Sequence, residues 1–347
     1  MILVPRKPAA GDSTLLSLLG GGFRGIFFGQ RDNERPAPWR IGWPQCDDMN
    51  HDSGTLLQST DANGPSTREP TAPAARAQWT RDANQPRLLI GTSGWSYDEW
   101  KQGFYGGLPP KEWLRHCSTR FTALEINATF YRLQEPESLA RWRDETPERF
   151  VFSMKANRYL THYRRLLEPE ASIDMERERA ASLGAKLGAV LWQLPKNFQR
   201  HDARLDGLLE ALQRQWPARH VLEFRHASWF SPEVAERLAA HGVAVCISDA
   251  RDWPMWEHVT ADFVYVRLHG HTHTYHSGYS KRSLERWAHR ARAWMAQGRD
   301  VHVYFDATDV GAAPRNAMAL RALITGARMH TRARAPAPRR RLGSRMQ

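Results

Sequence analysis

Eight short apolar runs recur along this chain, and most of them end in a charged or amide residue. The runs begin near residues 88, 121, 150, 187, 220, 243, 263 and 301. Their mean spacing of about 30 residues accommodates one strand, one helix and two loops. Eight such units predict a (β/α)8 barrel, which closes over roughly 250 residues and carries its chemistry at the C-terminal ends of its strands.

Helical patterns lie between the runs. One apolar stripe at the spacing of a helix face comprises Leu205, Leu208, Leu209, Leu212 and Trp216. Ser231-Pro232-Glu233 predicts a helix start, and Gly184 and Gly326 stand where helix C-caps are expected. The stretch after Asp249 predicts a short or irregular helix. A doubly wound open sheet is the alternative, but eight units and the absence of a G-x-G-x-x-G turn favour a single barrel domain over residues 87–327.

The two ends of the chain differ from the middle in composition. Residues 1–86 are rich in Pro, Gly, Asp, Asn, Ser and Thr and have no sustained period of 2 or 3.6, which predicts a disordered extension. Residues 328–347 contain seven arginines and no acidic residue, which predicts a basic disordered tail. This tail supplies much of the net charge of +12 and makes nonspecific nucleic acid a candidate partner.

Cysteine usage and hydropathy favour a cytoplasmic protein. Cys46, Cys117 and Cys246 are far apart and form no C-x-x-C or zinc-binding spacing, as is typical of reduced thiols. No run reaches the roughly 18 apolar residues that a membrane span requires, so no membrane association is predicted.

Alternation along the runs assigns polar side chains to the inside of the barrel. Successive side chains of a strand point to opposite faces, and one face of a barrel strand points to the axis. Leu124 and Ile126 suit the helix side, which leaves Glu125 and Asn127 facing inward. The same argument gives an inward or strand-end position to Ser153, Lys155, Gln193, Glu223, Arg225, Asp249, Arg267, His269, Tyr304 and Asp306. Buried charges require partners, so these residues form either a functional site or a set of structural ion pairs.

The residue types in this set suit an enzyme that acts on a small anionic substrate. The candidate catalytic residues are Glu125, Glu223, His269 and Asp306. The candidate substrate-binding residues are Asn127, Lys155, Gln193, Arg225 and Arg267. The cations would hold a phosphate or carboxylate, and the two amides would orient the substrate. Either glutamate would act as the general base and the histidine as the general acid.

A divalent metal is the alternative use of the same acidic residues. Carboxylates and an imidazole are ligands that Mn, Mg or Zn accept. No local ligand spacing supports a metal, so no metal ligand and no cofactor are assigned. Of the histidines in HGHTHTYH, only His269 lies at a strand end, and the others are interpreted as loop residues.

Aromatic and basic residues follow two of the runs. Trp95, Tyr97 and Trp100 in GTSGWSYDEW either form a wall over the barrel mouth or pack the first loop, and both alternatives stand. Asn157, Arg158 and His162 follow the third run and are candidates for the rim of the mouth.

Seven motifs in order resemble the YecE-like family, the domain of unknown function 72. They are GTSGWSYDEW, LEINATFYRL, FSMKANRYLTH, VLWQLPKNF, LEFRHASWF, VYVRLHG and YFDATDVGAAPRNA. The resemblance runs from about residue 88 to 325, so the first 86 residues and the basic tail lie outside it. It implies a TIM barrel, and it implies that the biochemical activity of the family is not established.

The family's motif residues coincide with eight of the candidate site residues. These are Glu125, Asn127, Lys155, Gln193, Glu223, Arg225, Arg267 and His269. One departure falls in the last motif, where Ala307 and Thr308 of YFDATD replace the Asn-type residue that is common in similar proteins. The overlap supports the assignment of an inner face but implies no reaction.

Three hypotheses for function follow. The first is an enzyme, a hydrolase or an isomerase, with phosphoester hydrolysis favoured because three cations converge where charge would develop. It expects Arg267→Ala to leave the fold intact and to abolish ligand binding. The second is a nucleic-acid-binding protein that uses the barrel and the Arg-rich tail, with an affinity that falls steeply with salt. The third is a sensor that binds the same ligand without turnover.

Overall fold

The computed structural model describes residues 85–270, 274, 278–306 and 311–326 of the chain. The predicted basic tail and residues 1–84 of the predicted extension lie outside the described residues. The same is true of Cys46, of Ala307 and Thr308, and of the histidines that follow His269 in HGHTHTYH.

Eight parallel strands form the barrel, and they correspond to the eight apolar runs. Their bounds are β1 Leu88–Thr92, β2 Ala123–Ile126, β3 Val151–Lys155, β4 Leu187–Gln193, β5 His220–Glu223, β6 Ala244–Ala250, β7 Phe263–Gly270 and β8 Asp300–Phe305. The helices are α1 Trp113–Arg120, α2 Ala128–Tyr131, α3 Pro136–Asp144, α4 Glu170–Ala180, α5 Asp202–Gln215, α6 Pro232–Ala240, α7 Lys281–Ala296 and α8 Ala312–Thr325. This alternation of strand and helix confirms the predicted (β/α)8 fold.

The predicted helix boundaries agree with the structure except at Gly184. Ser231 caps α6 by accepting a hydrogen bond from the backbone N–H of Val234 at 3.4 Å. Gly326 is the C-cap of α8, with a positive φ of 69°. Gly184 is not the cap of α4, which ends at Ala180; its φ of 53° interrupts the 3-10 segment Ala181–Lys186 that follows. No helix lies between β6 and β7, which confirms that the sixth helical unit is irregular.

The strand order closes the sheet on itself. The hydrogen-bonded order is β1-β8-β7-β6-β5-β4-β3-β2, which leaves one seam between β1 and β2. A parallel bridge between Ser93 and Glu125 spans that seam, and the N–H of Gly94 donates to the carbonyl oxygen of Glu125 at 2.8 Å. At the other end of the seam, the N–H of Thr122 donates to the carbonyl oxygen of Ile90 at 3.1 Å. The open doubly wound sheet is therefore excluded.

The close approach of β1 to β2 depends on Gly91. A Cβ added at Gly91 would lie 1.9 Å from the carbonyl oxygen of Ala123, which is backbone and has no room to move. We expect Gly91→Ala to lower the free energy of unfolding by about 3 kcal/mol, at the upper end of overpacking costs. Urea denaturation measures the change, and an unaltered midpoint would contradict the seam described above.

Gly207 in α5 provides the matched control for Gly91. A Cβ at this position would meet no atom within 4 Å, and alanine favours helix over glycine. We expect Gly207→Ala to raise the free energy of unfolding by roughly 0.5–1 kcal/mol. The same Gly→Ala change therefore has opposite signs at the two sites.

The barrel axis is filled by an apolar layer below a polar one. The apolar layer includes Leu89, Ala123, Val151, Ala189, Leu191, Val221, Ala244, Cys246 and Phe263. Above it, the hydroxyl of Tyr304 lies 2.9 Å from that of Ser153, and Tyr265 donates to a Glu125 carboxylate oxygen at 2.6 Å. The alternation therefore places the polar candidates at the C-terminal end of a buried interior.

Strand β6 corrects one of the sequence assignments. Asp249 is predicted to face inward, but Ser248 does so instead, with its hydroxyl 3.4 Å from a carboxylate oxygen of Glu223. The backbone carbonyl of Asp249 accepts a hydrogen bond from the hydroxyl of Tyr279. The run VAVCIS is apolar on both faces, so its periodicity does not reveal which residues point to the axis.

Candidate functional site

Arg267 lies at the centre of the polar candidates, on the barrel axis near the end of β7. Its Nη2 lies 2.8 Å from a carboxylate oxygen of Glu125 and 2.8 Å from one of Asp306. Its Nη1 lies 2.8 Å from a carboxylate oxygen of Glu223. Its Nε donates to both Glu125 oxygens at 3.1 Å, and Nη2 donates to Ser93 Oγ at 3.1 Å. Every nitrogen of this guanidinium is therefore engaged by neighbouring side chains.

Strand geometry explains why one arginine meets three carboxylates. Glu223 is the last residue of β5, and Glu125 is the next-to-last residue of β2. Arg267 lies three residues before the end of β7, and Asp306 directly follows β8. The C-terminal ends of parallel barrel strands meet at one rim, so residues far apart in sequence converge there. We call Glu125, Glu223, Arg267 and Asp306 the charged cluster.

The cluster keeps Glu223, Asp306 and Arg267 ionised although they are buried. Burial alone would raise the pKa values of Glu223 and Asp306, but the neighbouring guanidinium groups outweigh it and hold both well below their usual range. Burial likewise disfavours the charged form of Arg267, but the carboxylates around it keep its pKa above its ordinary value. Such a set of charges is stable only while each has its partner.

His269 is fixed by the cluster in a neutral form. Its Nδ1 lies 3.2 Å from a carboxylate oxygen of Asp306, and its Nε2 lies 3.3 Å from Nη1 of Arg267. An arginine only donates, so Nε2 accepts and Nδ1 carries the proton directed at Asp306. Burial, then the charge of Arg267, lowers the pKa of His269. In this state the imidazole has no proton to spare as a general acid.

Arg225 lies above Glu223 at the mouth. Its Nε donates to a Glu223 carboxylate oxygen at 2.7 Å, and its guanidinium lies 3.9 Å from the centre of the Trp253 ring. The indole N–H of Trp253 donates to Ser248 Oγ at 3.0 Å. The side chain of Arg225 retains 10% exposure, whereas that of Arg267 has none, so Arg225 is the guanidinium nearer to solvent.

Lys155 ends β3 at the same rim, and its residue is only 6% exposed. Its Nζ lies 3.9 Å from the centre of the Phe130 ring. No ion pair or side-chain hydrogen bond joins this Nζ to any residue in the described ranges. Lys155 thus differs from Arg267 and Arg225, whose charges have carboxylate partners.

The environment of Lys155 favours the neutral amine. Burial, followed by the positive charges of Arg267 and Arg225, lowers the pKa of Lys155 to about 7. The carboxylates of Glu223 and Asp306 oppose this shift without cancelling it. At neutral pH, comparable amounts of ammonium and free amine are therefore present.

The two candidate amides lie on either side of this group. Asn127 donates from Nδ2 to Ser93 Oγ at 2.7 Å, and its Oδ1 is buried without a hydrogen-bond partner among the described residues. Gln193 ends β4, is 4% exposed and is paired in register with Glu223. Both amides border the mouth and have the polar atoms needed to orient a ligand.

Aromatic residues form part of the rim. Arg158 stacks between Tyr131 and Tyr163, with its guanidinium 5.8 and 5.6 Å from the two ring centres. The pKa of His162 is lowered to about 4 by burial and then by the charges of Lys155 and Arg225, which places His162 beside them. The rim assignment of Arg158 and His162 is consistent with these positions.

The aromatic residues after β1 divide between the two alternatives considered for them. Trp100 is buried and packs in the first loop, with its ring 4.5 Å from that of Tyr97. Trp95 packs edge-on against Trp142 at 5.0 Å. Tyr97 donates from its hydroxyl to the backbone carbonyl of Ser93 at 2.6 Å, next to the charged cluster. Trp95 and Trp100 are therefore packing residues, and Tyr97 borders the site.

The charged cluster does not have the geometry of a metal centre. In the part of the chain that the structure describes, no group of three or more His, Cys, Asp and Glu side chains is arranged to hold a metal ion. The physical reason is that the Arg267 guanidinium lies between the carboxylates that would have to converge on the ion. The acidic residues are therefore neutralised by an arginine.

Several neighbours of the cluster were missed by sequence reasoning. They are Ser93, Phe130, Ser248, Trp253 and Tyr265. Tyr265 has the same phase as Arg267 and could have been found by extending the alternation two residues back. Phe130 and Trp253 lie in loops or short helices, where no strand period predicts their direction.

The closed barrel and its charged C-terminal mouth define a TIM-barrel protein. The chain belongs to the DUF72 family: the family model described as a protein of unknown function matches residues 89–341. This match extends beyond residue 328, so part of the predicted basic tail lies inside the family region and not outside it as expected.

Curated relatives carry no assigned activity in their names. UPF0759 protein YunF of Bacillus subtilis is 27% identical over 264 residues, covering 66% of this chain and 92% of its own. UPF0759 protein YecE of Escherichia coli K12 is 27% identical over 157 residues, covering 45% of this chain and 55% of its own.

Solved structures support the fold. A DUF72 family protein from Thermotoga maritima has a TM-score of 0.63 at 25% identity and covers 69% of this chain and 99% of its own. One from Enterococcus faecalis has a TM-score of 0.57 at 18% identity, covers 69% of this chain and 98% of its own, and bears on the fold alone. Within the described ranges, no helix is both long and apolar enough to cross a membrane.

Proposed function

We propose that this protein is an enzyme that binds a small phosphate- or carboxylate-bearing substrate at the C-terminal mouth of its barrel. The observation that carries the proposal is the position of Lys155, a buried cation without an ion-pair partner among the described residues. A buried charge without a counter-charge is costly, and a bound anion would supply the missing partner. Many TIM-barrel enzymes hold phosphates at this same end of the barrel.

The geometry supports a revised division of roles among the candidate residues. Lys155 and Arg225 contact the anion, because they are the two cations of the strand ends whose side chains are not fully buried, whereas Arg267 is. Asn127 and Gln193 orient the rest of the substrate. Arg267 holds the carboxylates of the cluster in place and does not contact the ligand, since its nitrogens are already engaged.

The residues proposed for acid–base chemistry also differ from those proposed from sequence. Glu125 and His269 are fully buried and act as positioning residues that hold the cluster. Asp306 has one oxygen on Arg267 and His269 and borders the mouth, so it is the best-placed carboxylate to accept a proton from substrate. Its lowered pKa keeps it ionised at neutral pH, and the same shift makes it a weak base, so that it would need the ligand to displace part of the Arg267 contact before it accepts a proton.

The arrangement of the cations supports phosphoester hydrolysis less strongly than the sequence pattern does. That preference depended on three cations stabilising a developing charge, and Arg267 is committed to carboxylates. Two cations and an ionised carboxylate equally suit proton transfer next to a carboxylate- or phosphate-bearing carbon, as in an isomerisation. We therefore propose the substrate class and leave both reaction classes open to assay.

The proposal is tested by thermal shift of the full chain against inorganic phosphate, sugar phosphates and organic acids. A ligand at about 100 times its Kd should add roughly 2.7 kcal/mol of stability. We expect Lys155→Gln to weaken the binding of any hit about 10- to 100-fold, as for one lost charge-assisted hydrogen bond. Lys196→Gln is the control, because Lys196 is exposed just after β4 and has no assigned contact with the ligand. Equal binding by both variants would refute the anion site.

The nucleic-acid hypothesis makes a separable prediction for the same protein. If the seven arginines of residues 328–347 bind phosphates, removing them should weaken DNA or RNA binding and flatten its salt dependence. The anion site at the mouth predicts that this truncation leaves small-ligand binding unchanged.

An enzyme is distinguished from a sensor by turnover of the bound ligand. NMR spectra of the ligand, recorded over time with the protein present, measure this turnover.

A further inference from the structure

We propose that Lys155 is a nucleophile that forms an imine with a ketone or aldehyde group of the substrate. The inference rests on the proposed function, because Arg225 would hold the substrate's anionic group while the free amine of Lys155 attacks the neighbouring carbonyl carbon. It narrows the substrate class to small carbonyl compounds that also bear a phosphate or carboxylate.

The position of Lys155 carries the inference. Its amine ends a barrel strand at the catalytic rim, and its residue is nine-tenths buried. The face of Phe130 lies 3.9 Å below the amine, so one side is closed by an apolar surface. No described residue holds the amine by an ion pair or a hydrogen bond, so a substrate carbonyl does not have to displace a partner.

Lys186 shows what a structural lysine looks like in the same protein. Its Nζ donates to the backbone carbonyl of Thr146 at 2.7 Å and to the hydroxyl of the same residue at 3.1 Å. Those bonds tie two loops together and occupy the donors of the ammonium. Lys155 has no comparable bonds within the described ranges, so packing of the loops does not account for it.

A lysine attacks a carbonyl only as the free amine. The charged and titratable groups that face Lys155 are Arg225, Arg267, Glu223, Asp306 and His162. Burial and the two guanidinium groups lower the pKa of Lys155 to about 7, which provides free amine at neutral pH. An exposed lysine, with a pKa of about 10.4, would be almost entirely protonated under the same conditions.

The step is balanced without any further reagent. The amine lone pair forms a C–N bond to the carbonyl carbon, and the electron pair of the C=O bond moves to oxygen, which takes up a proton. The carbinolamine then expels this oxygen as water as the C=N bond forms. Protonated lysine plus carbonyl thus yields a cationic imine plus water, and the single positive charge of Lys155 is retained near Asp306 and Glu223.

The experiment traps the imine with sodium borohydride on the full chain. The probes are dihydroxyacetone phosphate and pyruvate, each at a concentration that saturates its thermal shift. We expect intact mass to show one reduced adduct per chain, with peptide mapping placing it on Lys155. Lys155→Arg should abolish the adduct, because arginine keeps the charge but does not form an imine, whereas Lys196→Arg should retain it.

The alcohol counterparts separate this inference from the proposed function. Glycerol 3-phosphate and lactate carry the same anionic groups but no carbonyl. If they stabilise the protein through Lys155 while neither carbonyl probe leaves an adduct on that residue, the imine is overturned and the anion site stands. If neither the carbonyl compounds nor the alcohols bind, both proposals fail. Adducts spread evenly over exposed lysines would also overturn the imine.

Discussion

Replacing Arg267 by methionine should lower the free energy of unfolding by about 3–5 kcal/mol, the cost of leaving buried charges without their partner. Arg267 is fully buried and bonds to Glu125, Glu223 and Asp306, each at 2.8 Å. Methionine fills much of the same volume, so the loss reports charge more than packing. Urea denaturation followed by circular dichroism measures it.

A surface arginine is the matched control for this change. Arg237 forms ion pairs with Asp206 and Asp202 on the outside of the barrel, where its side chain is 36% exposed. We expect Arg237→Met to cost at most about 1 kcal/mol. Adding Glu125→Gln and Asp306→Asn to Arg267→Met should recover part of the loss, because these two carboxylates then no longer lack a counter-charge. A loss no greater than that of Arg237→Met would refute the central role of Arg267.

This expectation differs from the one drawn from sequence alone. There, Arg267→Ala was expected to leave the fold intact and to remove only ligand binding. Both expectations concern the same residue type at the same position of β7. The two expectations differ in the counter-charge assigned to Arg267. From sequence the counter-charge is a bound anion, whereas in the structure it is three carboxylates of the protein itself.

Anion binding at the mouth should weaken about 5- to 25-fold between pH 7 and pH 9, given that loss of the Lys155 charge alone weakens it about 10- to 100-fold, for a ligand that is itself fully ionised over that range. The reason is that the pKa of Lys155 is lowered to about 7, so the unliganded protein loses this positive charge as pH rises through that value. A bound anion favours the ammonium, so binding above pH 7 requires uptake of a proton. Calorimetric titrations at several pH values measure both the affinity and the proton uptake.

Lys155→Arg provides the control for this pH dependence. Arginine keeps its charge throughout the range, so the affinity of the variant should be flat from pH 7 to pH 9. Of the described acidic and imidazole groups that act on Lys155, none titrates in this range: the pKa of His162 is lowered to about 4, and those of Glu223 and Asp306 are held well below their usual range. Parallel pH profiles for wild type and variant would show that another group governs binding.

Much of the fold follows from local sequence patterns. The eight apolar runs become β1 to β8, and the stripe that begins at Leu205 becomes α5. Ser231 and Gly326 act as the caps that their residue types predict. Each of these signals depends on near neighbours along the chain, so sequence spacing contains the information. The closure of the barrel at Gly91 does not follow from near neighbours along the chain, because Gly91 permits a close contact with Ala123 on another strand.

Prediction of which side chains face the barrel axis was correct where polar and apolar residues alternate clearly, and it failed where they do not. Glu125 and Arg267 are flanked by apolar residues, and alternation places both on the axis. β6 is apolar on both faces and its register shifts between Asp249 and Ala250, so Asp249 was assigned to the position that Ser248 occupies. Periodicity also does not distinguish a cation that has carboxylate partners, such as Arg267, from one that has none among the described residues, such as Lys155.

The sequence by itself determined the barrel, because a strand and a helix every 30 residues or so have few other ways to bury their apolar faces. It also determined which side chains face the axis wherever polar and apolar residues alternate. Only the tertiary structure decided which charges neutralise each other. Arg267 and Lys155 are both cations at strand ends, yet one has three carboxylates within 2.8 Å and the other has an aromatic ring. That difference arises from distances between separate strands, and it determines whether Arg267 or Lys155 would contact a ligand.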